Sequence, residues 1–298
     1  MNKAEHFKSG FVAVVGRPNV GKSTMINALI GDKIAIVSDK AQTTRNRIIC
    51  VYTDEEKQIV FMDTPGVHKP KHKLGEFMVD AAIESLKETE AVLFVVAGNE
   101  KRGPGDNFII EQLKRVKVPV FLVVNKIDTL QKEQVLEAIV SYQDAYPFAG
   151  VIPISAKNKE NLSELLNVLG EHLPEGPQYF PEDMITDQPE RLIISDIVRE
   201  KILLSTRDEI PHAIAVDVDE MKTRDDGTTY IRATIYCERD SQKGIIIGKK
   251  GALLKQLGAE ARADIQKLLA TKVYLDLWVK VKKDWRNKSG MLSELGYK

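Results

Sequence analysis

The sequence predicts an open α/β domain, a mostly parallel sheet with helices on both faces, followed by a smaller α+β domain. Three observations predict it. Residues 11–173 alternate short apolar runs with helical patterns. A stretch rich in turn residues follows, with Pro174, Gly176, Pro177, Pro181 and Pro189. Beyond it the order of elements changes. A chain of 298 residues suits two domains at roughly 150 residues each.

The apolar runs are Phe11–Val15, Ile59–Met62, Ala91–Ala97, Val118–Val124 and Val151–Ile154. They are rich in Val, Ile and Phe and lack polar alternation, as strands buried on both faces do. Helical patterns separate them at Gly75–Thr89, Asp106–Arg115, Lys132–Ala145 and Asn161–His172. Strand alternating with helix argues an open α/β sheet. Arg47–Asp54 adds an antiparallel edge strand. Residues 1–174 form this first domain, 175–190 a linker and 191–298 the second domain. The second domain opens on a helix, Arg191–Thr206. Two strand-like segments follow, His212–Thr223 and Thr228–Glu238, joined by the turn Asp225-Asp226-Gly227. Helices flank a glycine-rich stretch within Lys243–Leu269, and a strand at Lys272–Lys282 comes last.

Hydrophobic residues at 43% and charged residues at 29% exclude disordered and disulfide-scaffold classes. The two cysteines, Cys50 and Cys237, fit a reducing cytosolic compartment. No run approaches 18 apolar residues, and Met1–Ser9 has no signal-peptide core. The net charge of zero hides an asymmetry. Residues 191–298 carry 21 basic and 16 acidic side chains, and residues 241–298 carry 13 and 5. A basic end on a neutral chain points to a polyanion partner for that end.

Gly16-Arg17-Pro18-Asn19-Val20-Gly21-Lys22-Ser23 matches the phosphate-loop pattern G-x-x-x-x-G-K-[ST]. It follows the strand Phe11–Val15 and opens a helix from Ser23 to Ile30, the context the motif needs. The first domain is therefore expected to be an α/β P-loop NTPase domain. Backbone N–H groups of this loop, continuing to Thr24, and the helix N-terminus receive phosphate oxygens. Lys22 reaches the β- and γ-phosphates and Ser23 binds Mg²⁺.

The base is read elsewhere. Asn125-Lys126-Ile127-Asp128 ends the strand Val118–Val124, at the sheet edge where ligands bind. A carboxylate at Asp128 accepts from both N–H donors of guanine, whereas adenine offers it a lone pair. Such a mismatch costs selectivity of roughly 10⁴. Ser155-Ala156-Lys157 ends the next strand, where a backbone N–H meets the guanine O6. Asp63-Thr64-Pro65-Gly66 ends the strand Ile59–Met62. Asp63 holds Mg²⁺ through water, and the Gly66 N–H senses a γ-phosphate. Thr43 and Thr44 lie on a polar loop where a threonine caps Mg²⁺. Val67 stands where regulatory GTPases place a water-orienting glutamine, so hydrolysis should be slow. His68 and His72 read as solvated loop histidines rather than bases.

Gly244-Ile245-Ile246-Ile247-Gly248-Lys249-Lys250-Gly251 is the second informative stretch. Glycines at both ends of Gly248–Gly251 let backbone approach a sugar-phosphate chain, and the lysines add charge. Ile245–Ile247 are expected to floor the groove. This is the G-x-x-G loop of a KH domain, which clamps four nucleotides of single-stranded RNA. The order helix–strand–strand–helix–helix–strand resembles the type II KH fold. Lys283 and Arg286, in a basic tail with Trp285, would extend the surface. Trp278 is expected in the core and Trp285 is left open.

Together these motifs resemble the bacterial Era family of GTPases, over about Ser9 to Lys283. That resemblance, which reaches the translation-factor-related class, gives the metal role to Thr44 rather than Thr43. It implies GTP/GDP and Mg²⁺ as cofactors, and binding of the 3′ end of small-subunit ribosomal RNA. It also implies a part in rRNA processing and small ribosomal subunit biogenesis. It implies a cytoplasmic monomer with weak peripheral attachment to the anionic membrane surface. GTPases similar in the apolar residue at Val67 often use a phosphate-loop asparagine to ligate potassium, which would give Asn19 a catalytic part. Two other readings are a small-molecule phosphotransferase and a trafficking switch with a protein-binding second domain. The first leaves the guanine motifs unexplained, and the second leaves the basic G-x-x-G stretch unexplained.

Overall fold

The computed structural model describes residues 6–38, 40, 43–66 and 72–297. Val67, His68 and Gln42 lie outside the described residues. The chain forms two compact units. The first holds Met1–Ala35, Thr44–Lys71 and Gly75–Asp187. The second holds Gln188–Lys298 with the short segments Ile36–Thr43 and His72–Leu74.

In the first unit the order is β1 (Lys8–Val15), α1 (Lys22–Ile30), β2 (Ile48–Thr53), β3 (Lys57–Asp63), α2 (Lys73–Glu84), β4 (Ala91–Ala97), α3 (Pro104–Leu113), β5 (Val120–Asn125), α4 (Lys132–Gln143), β6 (Gly150–Pro153) and α5 (Leu162–His172). The sheet runs β2-β3-β1-β4-β5-β6. Only β2 is antiparallel, paired with β3 at the edge. Alternate residues of each central strand feed different cores. Val12, Val14, Leu93 and Phe121 pack with Met25, Leu165 and Leu169 of α1 and α5. Ala13, Val15, Phe94 and Leu122 pack with Ala82, Ile109 and Leu113 of α2 and α3. Burial on both faces explains why these strands read as unbroken apolar runs.

The proline-rich stretch is less free than its composition suggests. Ser9 N–H donates to the Pro174 carbonyl (3.1 Å) and Gly176 N–H to that of Phe7 (2.9 Å). The Gln58 carboxamide oxygen accepts from the N–H groups of Tyr179 (2.8 Å) and Phe180 (3.0 Å). Val51 N–H donates to the Ile185 carbonyl (2.9 Å). Prolines stop this strap from becoming a strand, yet its remaining backbone groups still find partners. The unit boundary consequently falls between Asp187 and Gln188, inside the expected linker.

The second unit runs α6 (Glu190–Ser205), α7 (Ile210–Ala213), β7 (Ala215–Thr223), β8 (Thr229–Cys237), α8 (Asp240–Ile247), α9 (Ala252–Leu269), β9 (Val273–Val281) and α10 (Ser289–Glu294). Its sheet is ordered β7-β8-β9, antiparallel then parallel. One face packs on helices: Ile231, Ala233 and Ile235 meet Ile194 and Val198 of α6 and Leu257, Ala261 and Ile265 of α9. Asp225–Gly227 makes the expected turn, with Thr228 N–H donating to Asp226 Oδ1 (2.9 Å).

Trp278, expected in the core, is exposed, and Trp285, whose place was left open, is buried. Alternation along β9 puts Val273 and Val279 in the core, so Trp278 faces the other way and is 53% exposed. Its indole N–H donates to Asp276 Oδ2 (2.9 Å). Trp285 is fully buried, donates to the Ala213 carbonyl (2.9 Å) and stacks on Tyr297. Among the described residues no helix is long and apolar enough to cross a membrane.

Candidate nucleotide site and nucleic-acid groove

The phosphate loop leaves the C-terminal end of β1 and enters α1. Asn19 and Gly21 both take left-handed backbone, at φ +65° and +97°. Gly21 has a second requirement, because a β-carbon there would lie 2.2 Å from Asn125 Nδ2. Lys22 is buried, and its ammonium donates to the carbonyls of Gly16 (3.2 Å) and Arg17 (3.0 Å). The Arg17 side chain turns aside, donating from Nε to Asp106 Oδ1 (2.8 Å) and pairing with Glu100 (3.1 Å). Only the backbone of Arg17 is left for the phosphate side of the loop.

Three oxygen ligands converge beside Lys22. Ser23 Oγ donates to Asp63 Oδ2 (2.7 Å) and lies 2.9 Å from Thr44 Oγ1. Thr44 Oγ1 is 3.5 Å from the same carboxylate. Thr43 instead donates to the Lys40 carbonyl (2.6 Å). Asp63 is fully buried and its other oxygen, Oδ1, has no hydrogen-bond partner among the described residues. Burial pushes the Asp63 carboxyl up to about 6, against the pull of Lys22, Ser23, Thr44 and the Thr64 N–H. Burial pushes the Lys22 ammonium down to about 8, against the attraction of Asp63. Burial thus opposes the charged form of both groups, and a bound cation and phosphate would favour it. An orphaned buried carboxylate oxygen with two hydroxyls at hand fits a hard divalent cation such as Mg²⁺. Thr64, Pro65 and Gly66 are buried next to it, Thr64 donating to the Val14 carbonyl (2.6 Å). A β-carbon on Gly66 would come within 2.8 Å of Pro18, so the two loops touch.

Asn125 has a bracing role that its motif does not reveal. It is buried at the end of β5, donates to the Val20 carbonyl (2.9 Å) and accepts from the Ala156 N–H (3.0 Å). One side chain thus ties the phosphate loop to the Ser155-Ala156-Lys157 loop. Ser155 Oγ donates to Asp128 Oδ1 (2.6 Å) and accepts from the Asn158 N–H (3.0 Å), which fixes the exposed carboxylate. Lys126 sits at φ +68° and Lys157 is exposed. All the loops lie at the C-terminal ends of β1, β3, β5 and β6.

In the second unit α8 and α9 meet at Gly248–Gly251. Gly248 (φ +73°), Lys250 (φ +52°) and Gly251 (φ +78°) all have positive φ. Lys249 and Lys250 are exposed. Beside this turn, α9 and β9 enclose a groove of about 410 Å³. Its floor is Leu254, Gly258, Leu275 and Leu277, and its cations are Lys255 and Arg262. The residues expected as a floor, Ile245–Ile247, lie on α8. Ile246 belongs to the core, Ile247 packs partly against it, and Ile245 is 54% exposed outside the groove's lining. Gly244, also on α8, does not line the groove. Sequence reasoning missed the α9 residues, although Gly251, Leu254, Lys255, Gly258 and Arg262 follow the spacing of one helical face. Of the tail, Lys283 is exposed, while Arg286 is paired with Glu238 (2.5 Å).

A phosphate loop, a guanine-type carboxylate and a G-x-x-G groove define a GTPase joined to a KH domain. Residues 11–126 match the 50S ribosome-binding GTPase family, and residues 209–286 match the KH domain family. Among solved structures, Era from Aquifex aeolicus bound to GDP and aluminium fluoride is 43% identical. The match covers 98% of this chain and 99% of that one, at a TM-score of 0.94. A structure of Era with MgGDPNP and nucleotides 1506–1542 of 16S ribosomal RNA matches over the same shares at 43% identity and a TM-score of 0.95. The chain belongs to the Era family of GTPases.

Proposed function

We propose that this protein is a Mg²⁺-dependent GTPase switch whose KH unit grips the single-stranded 3′ end of small-subunit ribosomal RNA in ribosome biogenesis. The observation that carries the nucleotide half is the meeting of Ser23, Thr44 and the half-satisfied Asp63 carboxylate beside Lys22. In this reading Ser23 and Thr44 hold Mg²⁺ and Asp63 orients it from its unpartnered oxygen. The bound cation neutralises charge that builds on the phosphates. Lys22 holds the β- and γ-phosphates, and the backbone N–H groups of residues 16–24 wrap them. Gly66, packed on Pro18, reports the γ-phosphate to the segment that follows. Asp128, steadied by Ser155, selects guanine.

The RNA half rests on the groove between α9 and β9. Bases lie on Leu254, Leu275 and Leu277, and phosphates meet the Gly248–Gly251 backbone, Lys249, Lys250, Lys255 and Arg262. Support for the target comes from the Era relative whose structure holds the 16S fragment. The same reading includes a cytoplasmic monomer with weak peripheral attachment to anionic membrane. It also includes a potassium ion on Asn19, for which equal turnover in sodium and potassium buffers is the contrary result. The test of the pocket is Asp128→Asn. Preference should pass from guanine to xanthine nucleotides, because an amide donates to the extra oxo group. Retained GTP preference would remove Asp128 from the base site.

A further inference from the structure

The edge of the first unit's sheet away from the nucleotide loops carries a second cavity, of about 400 Å³. It opens between the C-terminal ends of α2 and α3 and the loops that lead into β4 and β5. Ile83, Leu86, Val116 and Val118 make an apolar wall. Lys87, Arg115 and Lys117 stand at its rim, and no carboxylate lines it. All three cations are exposed, and none forms an ion pair among the described residues. Thr89 also lines the cavity, with its hydroxyl oxygen buried and turned away from it.

The simplest role for such cations is to complement the helix ends. That role is already filled in part by backbone. Leu86 and Lys87 N–H close α2 on the carbonyls of Ile83 and Glu84, and Arg115 and Val116 N–H close α3 on those of Gln112 and Leu113. We propose that this cavity binds a small amphiphilic anion. Its carboxylate, sulfonate or phosphate would sit among Lys87, Arg115 and Lys117, and its apolar body would lie on Val116 and Leu86. The volume lies within the range of small-molecule sites. The site lies at the opposite ends of the strands from the loops assigned to nucleotide.

The test is methyl-detected NMR of the full chain saturated with Mg·GDP, using naphthalene sulfonate as the probe. The methyl signals of Ile83, Leu86, Val116 and Val118 should shift together and saturate with one Kd. The double variant Arg115→Glu/Lys117→Glu should weaken that Kd at least about tenfold, and uncharged naphthalene should bind as weakly. GDP affinity and basal GTP turnover should be unchanged in the double variant, which shows that it folds. Absence of a saturable shift at these methyls, or equal affinity in wild type and the double variant, overturns the proposal. Vesicles of phosphatidylcholine and phosphatidylglycerol should leave the signals in place. A response to vesicles without one to the soluble probe would move the site to a lipid headgroup and overturn the small-molecule assignment.

Discussion

The nucleotide site and the RNA groove are built in opposite ways. At the nucleotide site short contiguous loops are braced by buried side chains, with Asn125 spanning two of them and Ser155 holding Asp128. At the groove, open side chains at helical spacing on α9 face alternate residues of β9. The first arrangement fixes a few atoms around a charged ligand. The second offers a tolerant surface on which bases lie while backbone and cations follow the phosphates. Buried polar networks punish single changes heavily, whereas exposed charges share their load.

The largest effect should come from outside both sites. Trp285→Ala removes a fully buried indole and its bond to Ala213, and should destabilise the second unit by about 3–5 kcal/mol. Trp278→Ala, on the exposed face, should cost less than about 1 kcal/mol. Denaturant unfolding of both variants measures the contrast, and equal losses would return Trp278 to the core.

Next comes the brace. Asn125→Ala leaves the Val20 carbonyl and the Ala156 N–H unpaired and should cost about 2 kcal/mol of stability. GDP affinity should fall with it, while RNA affinity of the GDP-saturated protein stays. Calorimetric titration with GDP and with RNA separates the two, and a loss of both would break the comparison.

A pH profile sharpens it further. Lys22 in the free protein is held near about 8, below its ordinary value, chiefly by burial. Bound phosphates keep the ammonium charged, so binding takes up a proton above that pH. GDP affinity should be level below about pH 8 and fall by about tenfold near pH 9. Calorimetry in buffers of different ionisation enthalpy should show the proton uptake. A flat profile to pH 9 would place Lys22 outside the phosphate contact. The smallest expected effect is Arg262→Gln, which should weaken RNA binding severalfold and lower the logarithmic salt slope by about 1, without touching GDP.

What the sequence disclosed follows the same division. The phosphate loop, Asp63–Gly66, Asn125–Asp128 and Ser155–Lys157 are contiguous because each must turn the backbone at one strand end. The parallel sheet showed because strands buried on two faces lose their alternation. The bracing by Asn125 stayed hidden, since a motif names a residue and not the atoms it bridges. The groove was half visible. Gly248–Gly251 announced itself through glycines and lysines, whereas Lys255 and Arg262 are spread about two turns apart and look like any solvated helix face. Trp285 looked like part of a basic nucleic-acid tail, and only the tertiary cover of Ala213 and Tyr297 buries it.

The most direct test of two chemically separate sites is the affinity of Lys249→Asp/Lys250→Asp for a single-stranded RNA copying the small-subunit rRNA 3′ end. It should be measured at one stated salt concentration beside GDP affinity. RNA binding should weaken by more than about tenfold, with GDP affinity and unfolding midpoint unchanged. RNA binding equal to that of the unaltered protein would contradict that separation.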